Sequence, residues 1–170
     1  MKKHIKMNEM TNIEALNYGL SDMETEIVFY YYPGVSSNSS LKNLSEFEIG
    51  EIINSRVRKL DSVASEKNIK VDFIKCDVEG AELLVFKGGI KTIERDKPVI
   101  FTEMLRKWSK KFDYHPNDII TFFKALGYKC FTINHQKLMA FEKMTDETVE
   151  TNFIFLHSET HSREISTNSM

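Results

Sequence analysis

Long apolar runs are missing from this sequence. No stretch of its 170 residues approaches the ~18 consecutive apolar residues that a membrane-spanning helix needs. Met1–Met10 has a charged start with no apolar segment behind it, which reads against a secretory leader, so the expected location is cytoplasmic. Cysteine is scarce as well. Cys76 and Cys130 are the only two, each in an apolar, strand-like setting, and both are expected as buried thiols rather than as a disulfide. Charge of one sign is also lacking. A net charge of −2 and a pI near 6.2 argue against a broad nucleic-acid footprint. The basic stretches Met1–Lys6 and Arg106–Lys111 read as solvated faces. Neither nucleic acid nor membrane is expected as a partner. The patterns Asn38-Ser39-Ser40 and Asn43-Leu44-Ser45 fit a glycosylation acceptor but read as chance matches without a leader.

Several catalytic signatures are absent: no GxSxG elbow, CxxC pair, HExxH helix or phosphate-binding loop occurs. His157 and His161 have i, i+4 spacing, but their tail carries no convincing helical pattern, so no metal site is expected. His115, before Pro116, reads as loop, able to act as a base if it faces a crevice.

What is present is one domain's worth of ordinary globular chain, with 41% hydrophobic and 28% charged residues. Residues 1–157 read as that domain and residues 158–170 as a polar, disordered tail. Lys2–Met10 reads as the end of a helix, Asn12–Tyr18 as an alternating strand, and Gly19–Asp22 as a turn. Glu26–Tyr32 reads as a strand broken by Pro33-Gly34, with a serine-rich loop over Val35–Ser45. Ile52–Lys59 would be its partner strand. Asp61 would cap a short helix over Ser62–Lys67.

The centre is clearest. Val71–Cys76 reads as a buried strand running into Asp77-Val78-Glu79-Gly80-Ala81-Glu82. Leu83, Phe86, Ile90 and Ile93 then fall on one helical stripe. Gly88-Gly89, costing about 1 kcal/mol each against alanine, would kink or divide that helix. Pro98–Glu103 is the next strand. Pro116 suits a helix start and Gly127 its stop, for a helix over Asn117–Leu126. Tyr128–Asn134 and Asn152–His157 are two more strands around a turn-rich hairpin. The fold class is α/β, a parallel sheet covered on both faces, with an antiparallel strand pair at its C-terminal edge.

In such sheets ligands bind beyond the carboxyl ends of the strands. That places Ser21-Asp22, Asp77 with Glu79, and Glu103-Met104 as candidates. If their strands are neighbours, Asp77, Glu79, Glu82 and Glu103 form an acidic crevice. Crowded carboxylates raise one another's pKa, as a general base requires. The alternative for Asp77, Glu79 and Glu82 is helix capping, and for Glu103 plain solvation. Ser39 and Ser40 read as loop residues within reach of a substrate, Trp108 and Tyr114 as an aromatic lip or as packing. Metal-assisted hydrolysis at the crevice is a third, weaker reading.

The stretch Val71–Met104, VDFIKCDVEGAELLVFKGGIKTIERDKPVIFTEM, resembles the FkbM family of S-adenosylmethionine-dependent methyltransferases. Asp77, Glu79, Gly80, Ala81 and Glu82 match the family's D-x-E-G-A-E. Lys87-Gly88, Pro98 and Glu103 follow at matching spacing. Asn17–Asp22, Tyr30–Leu41 and Lys59–Asp61 add to it, so that the resemblance runs over Ile5–Leu156. It implies a Rossmann-like class I methyltransferase fold with S-adenosylmethionine as cofactor. It implies methyl transfer to a hydroxyl of a sugar, glycan or other small substrate. By the same resemblance Leu20, Ser21 and Asp22 would lie near the adenine, and Asp77 and Glu79 would border the transfer centre; Asp77 is also a cofactor-binding candidate, and Glu103, at its strand end, is the third catalytic candidate.

One departure bears on all of this. Family members begin with a strand, a glycine-rich turn and a second strand ending in an acid. Nothing before Ile13 supplies these, and Gly19 is the first glycine. The expected fold is therefore an incomplete domain, with a gap beside the Ile74 strand and two open sheet edges. An N-terminal segment or an oligomer partner would complete the sheet. The alternative function is a non-catalytic remnant or binding module of the same fold.

Overall fold

The computed structural model describes residues 2–31 and 51–168; the expectations for Pro33-Gly34, the Val35–Ser45 loop, Ser39 and Ser40 lie outside them. The elements are α1 (Lys2–Met7), β1 (Gly19–Leu20), β2 (Thr25–Tyr31), β3 (Glu51–Arg58), α2 (Leu60–Glu66), β4 (Phe73–Cys76), α3 (Glu82–Lys87), α4 (Ile90–Asp96), β5 (Val99–Glu103), α5 (Arg106–Ser109), α6 (Pro116–Ala125), β6 (Tyr128–Asn134), β7 (Lys137–Ala140), β8 (Asn152–His157) and α7 (Ser162–Asn168). No described helix is long and apolar enough to cross a membrane.

The strands make two sheets, β1-β3-β2 and β4-β5-β8-β6-β7. In the larger one, β4 and β5 are parallel, while β8 runs antiparallel to both β5 and β6. The mixed α/β class expected from the strand–helix alternation is therefore present. Two details differ. First, β8 lies inside the sheet, and the edge belongs to β7. Chain order does not set spatial order, and Phe153 and Phe155 of β8 are fully buried there. Second, α3 and α6 share one face rather than covering both. Phe86 meets Phe123 edge-on at 4.8 Å, and Phe123 meets Phe155 at 4.5 Å.

Among the described residues β4 has a strand neighbour only on its β5 side, and β1 only on its β3 side. Two open edges were expected, but the cost falls on β4, which was read as a buried strand. Its pattern is exposed, half-buried, exposed, buried, with Phe73 58% exposed. The Asn12–Tyr18 segment is not a strand. It pairs with neither open edge, and Ile13 and Leu16 stay exposed. Charge holds the segment instead: Lys67 reaches the Glu14 carboxylate at 2.7 Å, and Arg56 and Arg58 sit over the Tyr18 ring. Gly19-Leu20, read as turn, pairs with Val57-Arg58.

The central helix does divide at Gly88-Gly89, for a reason beyond propensity. A methyl group on Gly88 would sit 1.9 Å from the Ser21 carbonyl oxygen, and one on Gly89 would sit 2.7 Å from the Leu60 side chain. Asp61, expected to cap α2, lies in that helix's first turn. Its carboxylate caps α4 instead, accepting the N–H groups of Lys91 (3.2 Å) and Thr92 (2.8 Å). These contacts fasten the small sheet to the large one. At the other end, residues 162–168 are helical rather than disordered. Ser158 donates its N–H and hydroxyl to the Gly127 carbonyl, and the His161 ring accepts the His157 N–H. That bond, and the one from Thr160 N–H to His157 Nδ1, give the histidine pair a capping role. Cys76 and Cys130 are buried free thiols.

Candidate functional site

The parallel pairing of β4 with β5 matches Cys76 to Thr102. The next residue on each strand is an acid, Asp77 and Glu103, so the two emerge side by side at the carboxyl edge of the sheet. The chain then reverses sharply. Glu79 and Gly80 both have left-handed backbone, at φ 53° and 100°, a combination that glycine tolerates and glutamate adopts only under constraint. A methyl group on Gly80 would lie 2.7 Å from the Trp108 carbonyl, so the turn also rests against α5.

Glu82 supplies the constraint from below. It is only 3% exposed, and its carboxylate accepts the N–H groups of Val78 (3.0 Å) and Gly80 (3.1 Å) and the Tyr114 hydroxyl (3.1 Å). A buried carboxylate requires such partners. Of the two readings of Glu82, crevice wall or cap, the bonds support the second: it holds the loop from beneath. Tyr114, read as a lip or as packing, packs against the core and turns inward to Glu82. Burial beside that carboxylate pushes the Tyr114 hydroxyl far above its ordinary pKa.

Asp77, Glu79 and Glu103 are brought together, each offering an oxygen within 4.8 Å of the others. Partial burial raises the pKa of Glu79, and the neighbouring Glu103 and Asp77 raise it further. Burial likewise raises Glu103, with Asp77 and Glu82 adding to it and Lys75 and Lys107 opposing. Lys75 ion-pairs with Asp77 at 2.8 Å. Such a trio can accept a proton from a neighbouring group, attract a cationic group, or coordinate a divalent ion.

Leu20, Ser21 and Asp22 are placed elsewhere. Leu20 packs on the core. Ser21 is 3% exposed, donates its N–H to the Arg58 carbonyl at 2.9 Å, and sends its hydroxyl to Asp22 at 3.2 Å. The Ser21 carbonyl abuts Gly88, at the C-terminal end of α3, whereas the Asp77–Gly80 loop precedes its N-terminus. Six helical residues, roughly 9 Å, separate the two. His115 has a structural part: its Nδ1 accepts the Asn117 N–H at 3.1 Å, and it caps α6.

Two site residues escaped the reading of the sequence. Lys75 was legible in principle, since residues two apart along a strand share a face, which puts it beside Asp77. Lys107 had no local signal. It comes near through the fold of α5, with its ammonium 4.2 Å above the Trp108 ring.

No curated protein and no solved structure matches this chain. A family model does: the methyltransferase FkbM domain matches residues 2–130, well over half of the sequence, from α1 into β6 and across every acid of the site. The chain belongs to the FkbM methyltransferase family.

Proposed function

We propose that the chain is an S-adenosylmethionine-dependent methyltransferase domain acting on a hydroxyl of a small or glycan substrate, with Asp77, Glu79 and Glu103 at the transfer centre. The observation that carries this is the convergence of three carboxylates beyond the carboxyl edge of β4 and β5. S-adenosylmethionine supplies, when bound, an electrophilic methyl group on a cationic sulfonium. The carboxylate set fits that positive charge, since opposite charges within about 4–6 Å favour each other. Asp77, held by Lys75, would orient the cationic end. Glu79 and Glu103, with raised pKa values, are suited to accept the acceptor's hydroxyl proton as it is lost. Leu20, Ser21 and Asp22 are proposed for the adenine side, at the far end of α3.

A second reading, a binding module without catalysis, is favoured by the described glycines. Gly88 and Gly89, the one adjacent pair among them, are filled by the Ser21 carbonyl and the Leu60 side chain and leave no cradle for a cofactor. On either reading the open edge of β4 invites a strand from an N-terminal segment or an oligomer partner. Calorimetric titration with S-adenosylmethionine and its demethylated product separates the two. Micromolar binding, weakened in Asp77→Asn, supports the methyltransferase. A folded chain that binds neither supports the module.

A further inference from the structure

The last strand passes into α7 through a turn tied by two imidazoles. Nδ1 of His157 accepts the Thr160 N–H at 3.2 Å, and Nδ1 of His161 reaches back to accept the His157 N–H at 3.0 Å. Each ring thereby satisfies a backbone donor that the start of a helix leaves unpaired. Bonds from His161 N–H to the His157 carbonyl and from Ile165 N–H to the His161 carbonyl carry the chain on into α7.

A neutral imidazole has one acceptor nitrogen. Both rings therefore hold their proton on Nε2 and keep Nδ1 bare. A second proton turns each Nδ1 into a donor aimed at a donor, and both ties become repulsive. Little else fastens the helix. No side chain of α7 is buried, and it lies against β7, the outer strand of the larger sheet. The anchor that does not titrate comes before the turn, where Ser158 gives its N–H and hydroxyl to the Gly127 carbonyl.

The surroundings favour the neutral rings. His157 is 7% exposed and stands edge-on to the Tyr128 ring at 5.3 Å. Burial lowers its pKa below the ordinary 6.5, Lys97 and His161 lower it further, and Glu159 opposes them. Burial lowers His161 as well, against Glu164. Burial pushes the Tyr128 hydroxyl well up, so it keeps its proton on the Pro98 carbonyl. The folded chain thus takes up the imidazole protons less readily than the unfolded chain. The turn's stability is whole above 6.5 and is lost as pH falls through the lowered values.

We propose that His157 and His161 form an acid-released latch: protonation of the pair frees α7 from β7 while the sheet stays folded. The latch is independent of the methyl-transfer reading and of the carboxylate trio.

The test is NMR of the isotope-labelled full chain from about pH 7.5 down to about pH 5, across the ordinary histidine range. At the upper end both rings should be Nε2–H tautomers and the Cα shifts of Ser162–Asn168 helical. At the lower end those shifts should fall to coil values while those of β5 and β8 hold. Asparagine offers an acceptor oxygen near the place of Nδ1 and does not titrate. His157→Asn/His161→Asn should therefore keep α7 helical throughout. Because the His157 ring packs on Tyr128, His161→Asn alone is the second variant. It should keep about half or more of the helical shift in acid, where the unaltered chain keeps about a tenth. An Nδ1–H tautomer on either ring, a helix that persists in acid, or loss of β5 and β8 along with α7 overturns the proposal. So does release of α7 in His161→Asn at the same pH as in the unaltered chain.

Discussion

At Glu103 the chain accepts a penalty for placing like charges together. Its carboxyl is raised above the ordinary value of 4.5 by burial and by Asp77 and Glu82. The folded state therefore binds this proton more tightly than the unfolded state does. Its contribution to stability is intact below the ordinary value and is lost as pH rises through the elevated one. Glu103→Gln should thus stabilise the fold near neutral pH and change little near pH 4, as read by urea unfolding at the two pH values. A variant equally destabilising at both would show that the carboxylate is bonded rather than crowded. Asp96 has the opposite sign. Arg95 and the Val71 N–H hold it down to about 2, so its stability is present above 3.8 and fades only in strong acid.

At the scale of elements, the break between α3 and α4 depends on a contact that local propensity does not contain. Gly88→Ala would force a methyl group onto the Ser21 carbonyl, so it should cost about 3 kcal/mol of unfolding free energy, although alanine is the better helix former. A neutral or stabilising result would mean that β1 is free to move off α3. The edge of β4 gives a second expectation. Phe73 is 58% exposed on a strand with one open side. Phe73→Lys should leave the melting temperature within a few degrees and reduce aggregation on light scattering. Increased aggregation would show that the edge is covered. These elements also mark what the sequence could and could not say. Asp77 and Glu103 were legible because each follows an apolar run that ends at the same sheet edge. The division at Gly88-Gly89 was legible as composition, though its cause, a carbonyl from residue 21, was not. For Glu82 the sequence left capping and site lining both open, because they look alike at a helix start; burial and the bonds to Val78 and Gly80 N–H decide for capping. The position of β8 was hidden because no local pattern records which strand an incoming one will pair with.

For the whole molecule, the two sheets differ in what supports them. In the smaller sheet Val57 is the one buried apolar side chain of β3, and Val28, Ile52 and Ile53 are exposed. The larger sheet carries Ile100, Phe153 and Phe155 at full burial. Native-state hydrogen exchange should find β2 and β3 opening at well below the global free energy, and β5 and β8 only at it. Uniform protection would indicate a single cooperative unit. The division bears on function. The carboxylate trio is built on the well-supported sheet, while Ser21 and Asp22 hang from the weaker one and are joined to it through Gly88 and Asp61. A donor spanning both would tie the two together.

The most direct test of that centre is a crystal structure with S-adenosylhomocysteine bound. The expected result places its sulfur within about 6 Å of the Asp77, Glu79 and Glu103 carboxylates, with the adenine toward Ser21 and Asp22. Binding at any other surface, with the three carboxylates left facing solvent, would contradict it.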